Sequence, residues 1–177
     1  MQNSNVRELS KMSMCTALCC VSSYIAFPLP FTPGMVTALT FALGLTAYIL
    51  NPKQTFAVIL GYILLGAVGL PVFAGGQGLA RLLSPVGGFY FAWLIAFPLL
   101  SALKGSVPKF KRYALANFLT TIPITYVGGL ASMILLMDVN LCEALTMAVL
   151  PFIPGDLIKA AAAAFIGVRL QKALGNR

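Results

Sequence analysis

Histidine is absent from this chain, and acidic residues are nearly so: Glu8, Asp138, Glu143 and Asp156 are the only four among 177 residues. These shortages exclude a good deal. An enzyme built on a histidine base, paired carboxylates or a metal set has almost nothing to work with. Asp156 with Lys159 is the sole candidate pair for membrane-embedded catalysis. The cysteines offer no redox or zinc pattern: Cys15, Cys19 and Cys20 share one apolar run, Cys142 stands apart, and no C-x-x-C occurs. They read as small packing residues. The phosphate-loop pattern G-x-x-x-x-G-K-[ST] is also missing, so the chain has no means of hydrolysing ATP itself. No enzymatic activity and no cofactor is expected.

Charge as a whole is scarce. Only 9% of residues are charged and 59% are hydrophobic, against roughly 25% charged in a typical soluble domain. The length accommodates about six apolar spans of ~20 residues with short connections. The expected architecture is therefore all-α, an integral membrane bundle of six transmembrane helices forming a single domain over residues 1–177. The net charge of +8 could suggest nucleic acid, but the basic residues fall between apolar runs rather than on one face. That arrangement suits the flanks of membrane spans.

The polar residues 1–8 are expected to fray. The first span is read from about Met12 to Phe27, with no A-x-A cleavage pattern after it. On it Ser13 and Ala17 make a small-xxx-small pair, suited to close approach by another helix or to ordinary packing. Pro28, Pro30 and Pro33 form a stiff link to a second span at about Met35–Leu50. Asn51-Pro52-Lys53 is a turn, and the third span covers about Thr55–Gly69. Residues 70–85 form a long loop with Gly75, Gly76, Gln77, Gly78 and one charge, Arg81. A loop of that length in a compact bundle is usually functional, often a lid. The fourth span runs from about Val86 to Leu103 and the fifth from Tyr113 to Met137. Phe89, Tyr90 and Trp93 near the start of the fourth read as interfacial anchors, or this end of the span belongs to a ring-lined pocket, because Phe31, Phe73 and Tyr90 should lie at the same membrane face.

The last element opens with Pro151-Phe152-Ile153-Pro154-Gly155-Asp156-Leu157-Ile158-Lys159. A helix starting at Pro154 or just after puts Asp156 in its first turn, where a carboxylate suits the unpaired N–H groups and the dipole. Lys159 follows on the same face. Two ionisable groups within a span mark a functional site unless they merely neutralise each other. Orientation follows from the basic residues. With six spans, Arg7, Lys11, Lys53, Lys104, Lys109, Lys111, Arg112, Arg169, Lys172 and Arg177 share one side, and only Arg81 lies opposite. Both termini are therefore expected in the cytoplasm of a multi-pass plasma-membrane protein. Asp156, about 20 Å from Arg169 along the helix, then falls in the outer half of the bilayer.

Four stretches carry a resemblance: Ile25-Ala26-Phe27-Pro28-Leu29-Pro30-Phe31, Gly66 to Phe73 as G-x-x-G-L-P-V-F, Pro85 to Phe89 as P-x-G-G-F, and Pro151 to Lys159 as P-F-I-P-G-D-L-I-K. In this order and spacing they resemble the BioY family, the biotin-binding S components of energy-coupling factor (ECF) transporters. The resemblance implies a six-helix S component that captures biotin from outside. It further implies a transmembrane coupling protein and two cytoplasmic ATPases as partners, with the coupling protein docking on the Ser13 and Ala17 face. By the same resemblance Asp156, Lys159 and Arg81 contribute to binding, with Gln77, Tyr90, Phe73 and Phe31 as further candidates. The chain departs from the family pattern at Leu39, where glutamine is usual, and at Ser84 and Val86 in place of G-P-T. Another small vitamin-like solute, or a carrier working without the ATPases, stays open, as does a purely structural bundle subunit.

Overall fold

The computed structural model describes residues 2–175 as eight helices and one two-stranded hairpin. Helix α1, Gln2–Ser22, begins ten residues before the apolar run and takes in the polar segment expected to fray. Its polar half lies along the start of the third helix, where Gln54 Nε2 donates to Glu8 Oε2 at 3.1 Å. The helix stops at Ser22, short of the predicted Phe27, because three prolines follow. A residue before proline is steered to extended backbone, and proline itself cannot donate to a helix. The chain there forms β1, Ala26–Pro28, antiparallel to β2, Met35–Thr37, with Phe27 opposite Val36. The expected purely helical bundle thus carries a short hairpin.

Helix α2 is consequently Leu39–Ile49, only 11 residues, and begins four residues later than expected. Helix α3, Pro52–Ala67, opens with a reciprocal cap between Asn51 and Gln54 and has proline at its first position, where no N–H is needed. The loop predicted over 70–85 contains a single helical turn, α4, Leu79–Leu82. Helix α5 is Gly87–Leu103, and α6 is Phe110–Met137 with Pro123 inside it. The short α7, Leu141–Ala148, is capped reciprocally by Asn140 and Glu143, and α8 is Ile153–Gly175.

Among the described residues, Phe110–Met137 is long and apolar enough to cross a membrane by itself. Leu141–Ala148 with Ile153–Leu174, bent by 48°, passes the same test together, and α2, α3 and α5 are shorter apolar helices. Helix α5 packs most extensively on α6. The contact is made backbone to backbone: a Cβ on Gly88 would lie 2.0 Å from the carbonyl oxygen of Gly128, so nothing larger than glycine fits there. Helices α5, α2, α8 and α6 close a ring in which α5 and α8 each pack on both α2 and α6. That ring sets α5 and α8 on opposite sides of a central space. At the far end of α2, Lys104 donates to the carbonyls of Ala47 (2.7 Å), Tyr48 (2.8 Å) and Leu50, and Ser101 to that of Leu50. These bonds satisfy the last turn of α2.

Candidate functional site

Helix α8 starts one residue before Pro154, so Asp156 and Lys159 fall one turn apart on one face. Their side chains meet, Lys159 Nζ to Asp156 Oδ1 at 2.6 Å, with 18% and 15% of their surfaces exposed. Two other elements complete the arrangement. Tyr126 of α6 donates its hydroxyl to Asp156 Oδ2 at 2.8 Å, and Lys159 donates to the carbonyl of Thr37 in β2 at 3.1 Å. Each carboxylate oxygen therefore has a donor, and the ammonium has two acceptors. The pair is a balanced, hydrogen-bonded unit, which removes most of the roughly 2.5–3.5 kcal/mol that each charge alone costs inside a bilayer.

The unit forms one wall of a cavity of about 70 Å³. Arg81, Tyr90 and Trp93 line the cavity, with Thr37, Leu39 and Thr40 on α2 and the strand before it. Met35, Gly34 and Phe152 enclose it beside the hairpin. A second cavity of about 20 Å³ lies beneath, sharing Thr40, Thr125, Tyr126, Asp156 and Lys159 and reaching Asn117 and Thr121. The upper space is small against the several hundred Å³ of a usual ligand site, because two loops lie over it. Gly75 (φ +74) packs against Met35 Cε and the Arg81 guanidinium, where a Cβ would come within 2.9 and 3.2 Å. Only glycine combines that backbone angle with that approach.

Among the described residues, three buried polar atoms have no hydrogen-bond partner: Arg81 Nε, Trp93 Nε1 and Thr40 Oγ1. All three belong to residues that line the cavity. Arg81 also has no acidic group within salt-bridge distance among the described residues, Lys159–Asp156 being the one ion pair there. The cavity walls thus carry two cations against one anion. Orphaned polar groups and an excess positive charge around one cavity are the reverse of what a structural core tolerates. They suit a polar, anionic guest.

Of the residues the sequence singled out, Asp156, Lys159, Arg81 and Tyr90 come together in this cavity. Three do not. Phe73 is buried, but its ring lies between Tyr62 and Tyr90, at 5.5 and 4.7 Å, behind the wall. Phe31 is 57% exposed at the hairpin loop, and Gln77 is exposed on the glycine-rich loop. Ser13 and Ala17 lie exposed on α1. Trp93, open to reading as an interfacial anchor, is 7% exposed and faces inward. Its spacing from Tyr90, three residues on one helix, was the available signal. Tyr126 and Thr37 had none, being 30 and 122 residues from their partners. Leu39 and Val86, two of the departures from the family pattern, are apolar cavity wall. Ser84 turns its hydroxyl back to the Arg81 carbonyl at 2.7 Å.

A ring of apolar helices around a small charged cavity defines the class, a helical membrane protein with an internal polar chamber. A model of the BioY family matches residues 1–176. The biotin transporter BioY2 of Lactococcus lactis subsp. cremoris is 33% identical, over 99% of this chain and 96% of its own. The biotin transporter BioY of Thermotoga maritima is 34% identical, over 94% and 97%. A crystal structure of the S-component for biotin from an ECF-type ABC transporter superposes with a TM-score of 0.88 at 26% identity, covering 97% of this chain and 94% of that one. The chain belongs to the BioY family. It is a membrane protein of the transporter S-component class, not a member of an enzyme family.

Proposed function

We propose that this protein is the S component of an energy-coupling factor transporter and that its solute is biotin. The whole chain would act as one substrate-binding domain, with a coupling protein and two ATPases supplying the energy. The observation that carries this reading is the unmatched Arg81: a guanidinium facing the cavity with a buried Nε unpartnered and no acid beside it. A solute with one carboxylate supplies the missing charge, and a guanidinium can hold a carboxylate through two parallel bonds. The rest of the set fits the ureido ring. Asp156 retains free lone pairs for a ureido N–H, and Lys159 has a third proton for the ureido oxygen. Tyr126 and the Thr37 carbonyl hold the two charges in position. Leu39, Val86, Phe89 and Trp93 give an apolar bed for the bicycle.

Both termini lie in the cytoplasm in this reading, since basic residues crowd the end of the bundle away from Arg81. The cavity then opens outward, toward the solute.

Mass spectrometry of small molecules retained by the detergent-purified protein tests the solute, followed by titration with biotin and with biotin methyl ester. Biotin is expected to be retained. Arg81→Ala should weaken biotin binding by about 10- to 100-fold while scarcely changing binding of the ester, which has no carboxylate. Retention of a different solute, with no measurable biotin binding, would sink the assignment.

A further inference from the structure

The wall facing the ion pair holds a hydrogen-bond donor with nothing to bond. Trp93, the one tryptophan of the chain, is 93% buried, lines the cavity, and has Nε1 unpartnered. An indole N–H donates only, and a buried donor left unpaired is a standing cost to the fold. The ring cannot readily turn to find a partner, because it stands edge-on to Tyr90 at 4.8 Å and Tyr90 packs on Phe73 at 4.7 Å. A solute in the cavity can therefore offer this N–H the acceptor that the protein does not supply.

We infer that Trp93 donates to the ring sulfur of bound biotin and so selects a thioether ring over a sulfur-free analogue. The inference rests on the biotin reading above. In the fused bicycle the ureido carbonyl and the sulfur point to opposite ends. With the ureido ring held at α8 by Asp156 and Lys159, the sulfur is turned toward α5, across the ring of helices. The other acceptors are already matched, the carboxylate by Arg81 and the ureido oxygen by Lys159. Sulfur is a weak, polarisable acceptor, and pairing it also relieves the stranded donor.

Desthiobiotin, in which two hydrogens replace the sulfur and the ring is open, provides the test. The wild type should bind biotin more tightly than desthiobiotin. Trp93→Phe keeps an aromatic wall without the donor and should cost biotin about five- to tenfold in affinity, with little loss for desthiobiotin. An equal loss for both ligands, or none for biotin, overturns the sulfur assignment while leaving the biotin reading intact. A wild type that binds neither ligand overturns both. Should the variant fail to fold, the single indole N–H resonance of the ¹⁵N-labelled wild type answers the same question. It should move further downfield with biotin than with desthiobiotin, and identical shifts overturn the assignment.

Discussion

Asp156 has a donor on each oxygen, Lys159 on one and Tyr126 on the other, so what happens on removing one charge depends on what is left behind. In Lys159→Met the carboxylate keeps only Tyr126; in Asp156→Asn the ammonium keeps neutral acceptors, the Thr37 carbonyl and the amide oxygen, but loses its counter-charge. Each single variant should lose about 3 kcal/mol of stability, because an unpaired charge remains in a largely buried site. The double variant Asp156→Asn/Lys159→Met should recover part of that loss, with a coupling of about 1–3 kcal/mol. Thermal unfolding in detergent, followed by the single tryptophan, measures all three. Additive losses would mean that the two residues do not act as a pair. At this scale the sequence was informative about half the site. Asp156 and Lys159 are neighbours in the chain, and helical spacing alone joins them. Arg81, Thr37 and Tyr126 reach the same chamber from three other elements, and no local pattern links them.

Helices bring those distant residues together, and their ends decide how firmly. Proline and glycine made most boundaries readable: Asn51-Pro52 opens α3, and Pro151 to Gly155 opens α8. The start of α2 was not readable. Met35–Thr37 is as apolar as a helix, and only its pairing with Ala26–Pro28 makes it a strand. The other end of α2 depends on Lys104, whose ammonium is drawn in among three carbonyls. Burial pushes Lys104 down from 10.5 to about 8. An unfolded lysine keeps the ordinary value, so between those two pH values the unfolded chain binds more protons than the native one. Through this group, stability should rise as pH climbs from about 8 to 10.5. Comparing unfolding of the wild type with Lys104→Met across that range isolates the contribution, and parallel pH profiles would contradict it.

For the whole molecule, the exposed face of α1 with Ser13 and Ala17 is where the coupling protein is proposed to dock. A bulky side chain there should act on assembly and not on the cavity, which lies among α2, α5, α6 and α8. Ala17→Leu is expected to leave biotin affinity unchanged and to abolish copurification of the coupling protein, since small-residue contacts fail when one methyl becomes an isobutyl group. Undiminished copurification would move the docking surface elsewhere. Composition by itself determined that this is an apolar chain suited to a membrane, because scarcity of charge needs no geometry to interpret. Spacing by itself determined the Asp156–Lys159 pair, because 3.6 residues per turn is a local rule. Which aromatic rings face the chamber and which stand behind it was decided only by tertiary packing: Tyr90 and Trp93 line the cavity while Phe73 backs them, an ordering set by contacts between distant helices. The same packing left Arg81 without an acid beside it among the described residues, and that mismatch is visible only once the neighbouring helices are in place.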